Sequence, residues 1–147
     1  MADSALTDAL AEIRDEFLEL EKQDRLLLLL DFANELPDLP ERYTDHPDLL
    51  ERVVECQSPV FLTVEVEQGA VSVIASAAKE APTTRGFASI LAQGIKGLRP
   101  DDVLAIPGDF PQMLGLGRAV SPLRLSGMSG MLARIKRQVR EKADIAG

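Results

Sequence analysis

The sequence predicts an α+β fold: a small three-stranded antiparallel sheet covered on one face by helices from both ends of the chain. Three observations carry that expectation. Val60, Leu62, Val64 and Val66 alternate with Phe61, Thr63, Glu65 and Glu67, the period of a strand with one face against a core. Gln68-Gly69 is then a tight-turn signal, and Val71, Val73 and Ala75 resume the alternation, so 60–67 and 70–76 read as a hairpin. On either side of this hairpin apolar residues recur at helical steps instead: Leu10, Ile13, Phe17 and Leu20 before it, Leu132, Ile135 and Val139 after it. Two strands alone are marginal, and Leu49 to Val54 offers a short third, edge strand.

The remaining elements follow in order. Asp8 and Glu12 place negative charge in the first turn of the N-terminal helix, where the helix dipole favours it. Asp24 is a candidate N-cap for a second helix to about Leu36, whose leucines, Leu26 to Leu30, spread around the circumference and predict burial on more than one side. Pro37 and Pro40 end it and open an irregular link to about Asp48. After the hairpin, Thr83 or Thr84 is positioned to cap a helix carrying Phe87, Ile90, Leu91 and Ile95, with Gly94 and Gly97 weakening and closing it. Pro100 with Asp101 and Asp102 starts a short helix, and Pro107-Gly108-Asp109 breaks it before the apolar segment Phe110 to Leu116. Ser121-Pro122 reads as an N-cap followed by proline at the first helical position. Gly127 and Gly130 predict a bend or break in that last helix, and Met128 and Met131 are read as core filling in preference to a plastic binding surface.

At 147 residues the chain fits one domain, 1–147, with a real core. One cysteine forms no internal disulfide, so nothing points to an oxidising compartment. The acidic N-terminus lacks the basic-then-apolar pattern of a signal peptide, and the run Leu26 to Leu30 is too short to span a bilayer. A cytoplasmic protein without membrane attachment is the expectation. The net charge of −8 divides unevenly: residues 1–55 carry 16 acidic and 5 basic side chains, and residues 56–147 carry 8 and 11. An acidic half argues against a nucleic-acid groove. The basic tail (Arg134, Lys136, Arg137, Arg140, Lys142) has no interleaved aromatics to stack bases and is read as a solvated helix face.

The candidate reactive group is Cys56. Pro59 biases Ser58 away from helix, which sets Cys56 in a loop feeding the sheet, where reactive groups concentrate. A lone thiol also packs well as a small hydrophobe, and both readings stay open. His46, the one histidine, precedes Pro47 in a polar stretch and reads as an exposed loop residue rather than a general base for Cys56, because no third group is in view to orient the imidazole. One Cys and one His do not make a zinc site, and a single thiol does not hold a cluster as several thiolates do.

Three motifs, in order, carry a family resemblance. Cys56-Gln57-Ser58, followed after one residue by an apolar pair, resembles the loop of the SufE family, the sulfur acceptors that work with SufS-type cysteine desulfurases in iron–sulfur cluster assembly. Arg85-Gly86-Phe87 resembles its basic-Gly-hydrophobic step, and Pro122-Leu123-Arg124-Leu125-Ser126-Gly127 its Pro-x-Arg-x-x-Gly segment. The resemblance spans about residues 8–140. Glu55 stands where many members have Gly, and Ala78-Lys79-Glu80 where many have an Asp-Ser-Asp type run.

The resemblance implies a SufE/IscU-like fold and a sulfur carrier without a cofactor of its own. Cys56 would take sulfur from the persulfide of a desulfurase that uses pyridoxal phosphate, stimulate that enzyme, and pass the sulfur to an assembly scaffold. Glu55, Gln57 and Ser58 are the supporting loop, and Arg85 and Arg124 the candidate partner contacts. Arg124 is expected either as a cation that raises the thiolate fraction of Cys56 or as an ordinary ion pair at a helix start. The competing readings are a non-enzymatic interaction module with a packed cysteine, and a one-cysteine thiol peroxidase.

Overall fold

A computed structural model describes residues 6–56, 58–117 and 120–146. Two helices, α1 (Asp8–Glu19) and α2 (Lys22–Asn34), come first, then a short α3 (Glu41–Thr44). The sheet follows as β1 (Glu51–Arg52), β2 (Val60–Glu67) and β3 (Ala70–Ala77), in the spatial order β1-β2-β3 with both pairings antiparallel. Four helices complete the chain: α4 (Pro82–Ile95), α5 (Pro100–Leu104), α6 (Phe110–Met113) and α7 (Pro122–Ala146).

The hairpin is the one that the alternation predicts. Val60 faces Ala77, Leu62 faces Ala75 and Val64 faces Val73. Gln68 and Gly69 both take positive φ, 53° and 78°, the I′-type turn that matches strand twist. The side chains of Val60, Leu62, Val64, Val71, Val73, Ala75 and Ala77 are buried on one face. Against it pack α4, over β3, and α7, over β2, while α1 and α2 form an outer layer upon α4. The core joins Phe17, Phe87, Phe110, Ile90, Leu91 and Ile95 to the strands, with Phe17 stacked on Phe32 at 6.0 Å between centroids.

Several boundaries differ from expectation, each for a physical reason. Helix α2 starts at Lys22 with Glu21 as its flanking residue, so Asp24 lies in the first turn rather than at the cap. Its leucines are not buried all round: Leu29 is fully enclosed, whereas Leu27 is 60 % exposed. Helix α4 begins at Pro82, ahead of both threonines, because proline at the first turn is itself a helix start. The edge strand shrinks to two residues. Helix α7 runs unbroken past Gly127 and Gly130, since what packs against these glycines outweighs their poor propensity. Ser121 does cap it, its Oγ accepting the Arg124 N–H at 3.2 Å. Met128 and Met131 are buried.

Two arginines tie the helical layers together. The Arg25 guanidinium donates to the carbonyls of Phe17 (2.8 Å), Leu20 (3.1 Å) and Gly115 (2.9 Å), which joins the end of α1 to the turn after α6. Arg85 donates to the Ala33 and Ala77 carbonyls at 3.0 and 2.9 Å, joining the end of α2 to the end of β3. No helix among the described residues is long and apolar enough to cross a membrane.

Candidate functional site

The loop between β1 and β2 is closed at its base and tight at its tip. Val53 N–H donates to the Val60 carbonyl at 2.9 Å, and Cys56 N–H turns back to the Val53 carbonyl at 3.1 Å. This places Cys56 at the tip, directed inward. Its side chain belongs to the core cluster and is 7 % exposed. The Sγ lies 3.7 Å from the Gly127 carbonyl oxygen on α7, a weak S–H donor contact.

Helix α7 is shaped to receive this loop. A Cβ at Gly127 would stand 3.1 Å from Cys56 Sγ and 3.4 Å from the Glu55 carbonyl, and one at Gly130 would stand 2.9 Å from the Cβ, Cγ and Cδ of Glu55. Leu123, Gly127, Gly130 and Arg134 recur at four- and three-residue steps and so share one helix face. The glycines give the loop its seat, and Arg134 holds it there. The Arg134 guanidinium bridges Glu51 at the base of the loop (2.5 Å) and Glu55 beside the thiol (2.8 Å). Arg137 pairs with Glu51 as well and reaches Glu141 at 3.0 Å. The basic tail is therefore not a solvated face as expected: Arg134 and Arg137 engage carboxylates, Lys136 donates to the Ile106 carbonyl, and Lys142 donates to Thr63 Oγ1 and the Val64 carbonyl. Arg140 stays exposed.

Next to the thiol is a recess of about 150 Å³, lined by Glu55, Cys56, Ser58, Glu80, Ala81, Thr84, Leu123, Arg124 and Gly127. It brings together the cysteine loop, the start of α4 and the start of α7. Burial, and then the adjacent Glu55 carboxylate, push the Cys56 thiol up from an ordinary value near 9 to about 11, with Arg134 working the other way. In this conformation the sulfur is a neutral thiol at pH 7. Burial works against the Glu51 and Glu55 carboxylates too, yet their hydrogen bonds to Arg137 and Arg134 hold both below the usual carboxylate range.

The residues singled out in the sequence fall in different places. Glu55, Cys56, Ser58 and Arg124 line the recess. Gln57 lies outside the described residues. Arg124 spends its charge on neither the thiol nor a carboxylate among the described residues; its Nη1 donates to Thr83 Oγ1 at 2.6 Å, across the mouth between α7 and α4. The cation that acts on Cys56 is Arg134, not Arg124. Arg85 is remote from the thiol in role, being the tie between Ala33 and Ala77. His46 is exposed in the link before β1. Sequence reasoning missed Arg134 and the seat formed by Gly127 and Gly130. The spacing of those residues along one helix face was the signal, and it was hidden because each glycine alone reads as a helix breaker.

The SufE family profile, described as an Fe-S metabolism associated domain, matches residues 11–139. An uncharacterized SufE-like protein of Mycobacterium tuberculosis is 52 % identical over 95 % of this chain and 97 % of its own length. The cysteine desulfuration protein SufE of Plasmodium falciparum is a distant relative, 23 % identical over 78 % of this chain and 45 % of that protein. Among solved structures, that of a hypothetical protein from Thermus thermophilus superposes with a TM-score of 0.84 at 35 % identity, covering 95 % of this chain and 98 % of the other. With the family profile spanning most of its length and a SufE-like relative matching half of its residues, the chain belongs to the SufE family, which is associated with Fe–S metabolism.

Proposed function

We propose that Cys56 is a sulfur carrier. It accepts sulfur from the persulfide of a SufS-type cysteine desulfurase, stimulates that enzyme, and hands the sulfur to an iron–sulfur assembly scaffold in the cytoplasm. The observation that carries this reading is the placement of the thiol: at the tip of a loop, against glycines, beside a small open recess rather than inside regular structure. Leu123 at the rim and Val54 in the loop itself are exposed, at 54 % and 68 %, and offer apolar surface to a docking enzyme. Family membership and the desulfuration name of the Plasmodium relative support the same reading.

The chemistry balances without a redox partner. The Cys56 thiolate attacks the outer sulfur of the enzyme's persulfide. The S–S bond of that persulfide breaks as a new S–S bond forms on Cys56, and the enzyme's cysteine leaves as thiolate. The proton of Cys56 goes to solvent or to the leaving thiolate. Pyridoxal phosphate belongs to the desulfurase, and the carrier has only to present one ionised sulfur. A thiol held near 11 does not do this from its seat, so transfer requires the loop to leave α7 when the enzyme docks. Arg124 and Ser58 on the walls of the recess, Gln57 next to the thiol in sequence, and Arg85 on α4 are the proposed supporting contacts.

The buried thiol also favours a second reading, an interaction module in which Cys56 is only packing. Intact mass spectrometry after incubation with desulfurase, pyridoxal phosphate and cysteine separates the two. The expected result is a gain of one sulfur, removed by reductant and absent in Cys56→Ala, together with stimulation of the desulfurase by the native chain alone. Full stimulation by Cys56→Ala, with no added sulfur on the native chain, would overturn the carrier role in favour of the module.

A further inference from the structure

Two carboxylates tie the cysteine loop to Arg134, and they are not equivalent. Glu51 belongs to the body of the protein. It sits in β1 opposite Leu62, and besides Arg134 it engages Arg137 and accepts from the Gln138 amide, the latter at 2.9 Å. Glu55 belongs to the tip. It is next to Cys56 in the chain, beyond the clamp that the Val53 N–H makes on the Val60 carbonyl. Its ion pair among the described residues is with Arg134, Nε at 2.9 Å and Nη2 at 2.8 Å. The Glu55 side chain is 41 % exposed, against 25 % for Glu51.

Lifting the thiol from Gly127 therefore parts Glu55 from Arg134, which Glu51 keeps on the body of the protein. The freed carboxylate then stands beside the sulfur that has to ionise, and it faces the persulfide of the enzyme. Like charges at that range disfavour the ionised thiol. In the seated loop this same carboxylate already works against the thiolate, while Arg134 works for it. Among the described residues lining the recess there is a second carboxylate, Glu80, and a single cation, Arg124, whose Nη1 already donates to Thr83 Oγ1. The counter-charge for a lifted Glu55 has to come from the partner.

We propose that Glu55 is a specificity-determining residue for sulfur acceptance: its carboxylate exchanges Arg134, in the seated loop, for a cationic side chain of the desulfurase beside the persulfide when the loop lifts. The inference rests on the carrier reading of Cys56 and adds the charge that the partner must present. The exchange leaves Glu55 paired in both positions, so the ion pair lost on opening is regained on docking. An enzyme surface without the cation leaves a bare carboxylate against its own persulfide. Such a partner is rejected by repulsion as well as by a missing contact.

Two rates, measured on each variant, separate opening of the loop from recognition by the enzyme. Alkylation of Cys56 in the free chain reads the open fraction and the acidity of the thiol. Sulfur gain by intact mass, with the chain well below saturation of a SufS-type desulfurase supplied with pyridoxal phosphate and cysteine, reads these and also the fit to the enzyme. A partner that binds only the open form has its apparent affinity scaled by that form's population. Gly127→Ala loosens the seat and keeps Glu55, so both rates rise together and the ratio of sulfur gain to alkylation stays native. Glu55→Gln lowers that ratio by about threefold to fivefold, the scale of one exposed charge pair. Glu55→Lys lowers it by about tenfold or more, as attraction becomes repulsion. If Glu55→Lys does not fold, Glu55→Gln decides. Were Glu55 only a fastener of the loop, its loss would raise both rates equally, and that native ratio in Glu55→Gln would overturn the proposal, as would an equal fall in Gly127→Ala. In either case the native chain still gains sulfur. No sulfur on the native chain overturns the carrier reading instead, and this inference with it.

Discussion

Two seams in this molecule use the same device to opposite ends. On α4, a Cβ at Gly86 would press into the Leu29 carbonyl oxygen and stand 2.9 and 3.0 Å from Cδ1 and Cγ of Leu29. On α7, a Cβ at Gly127 or Gly130 would meet the cysteine loop. In both cases a helix gives up propensity, about 1 kcal/mol per glycine, to let another segment come close. At Gly86 the neighbour is the backbone of a second helix within the core, and Arg85 beside it staples the junction. At Gly127 and Gly130 the neighbour is a loop that carries a thiol, and ion pairs at the surface fasten it. The first seam is permanent. The second is a seat that can be vacated, because its fasteners are exchangeable with water and its one sulfur contact is weak.

The largest contrast comes from adding a methyl group to each seam. Gly86→Ala forces α2 away from α4, and the cost of overpacking, about 1–3 kcal/mol or more, exceeds the gain in propensity. Urea unfolding should show a net loss of about 2 kcal/mol. Gly127→Ala should change global stability by less than about 1 kcal/mol, since strain against the sulfur and the propensity gain offset one another. The strain falls on the closed loop alone, so the rate of Cys56 alkylation in the native state should rise about fivefold, the factor that corresponds to ~1 kcal/mol. Equal unfolding losses for the two variants would erase the distinction between the seams.

A smaller effect sharpens the electrostatic side. Because the Glu55 carboxylate helps to hold the Cys56 thiol up near 11, the alkylation rate of the native chain should keep climbing with pH through 9 and level only near 11. Glu55→Gln should move that midpoint downward while preserving the side chain's shape. An unmoved midpoint would mean that burial alone sets the acidity.

The smallest effect concerns acid. Glu51 and Glu55 are held below their ordinary value near 4.5 in the folded chain, so their ion pairs stabilise it fully above that value. This contribution is lost as pH falls through the lowered folded values. Being partly exposed, the pairs are worth about 1 kcal/mol or less. Melting below about pH 4 should therefore fall slightly less steeply in Glu51→Gln than in the native chain.

The hairpin and the terminal helices were legible because period two and period 3.6 are written into single residues: Val60 to Val66 in one case, Leu132 to Val139 in the other. The cysteine loop was legible for a similar local reason, Pro59 fixing what precedes it. The seat on α7 was not, because Gly127 and Gly130 have opposite meanings in isolation and in contact, and only the partner surface says which applies. The role of Arg134 was hidden likewise. A basic face looks solvated until carboxylates 79 and 83 residues away in sequence are brought to it. Lys142 and Gln138 look like surface residues until β1 is seen to reach no further than Leu62 along β2, which leaves the Val64 N–H and carbonyl for them to bond.

Arg25 bears on how such a molecule comes apart. Its charge is met by the carbonyls of Phe17, Leu20 and Gly115, all dipoles and none a titrating acid. Protonation that undoes the carboxylate clasps around the thiol leaves this knot untouched. Acid should thus loosen the sulfur-bearing tip first while the helical hub stays tied, a built-in order of disassembly.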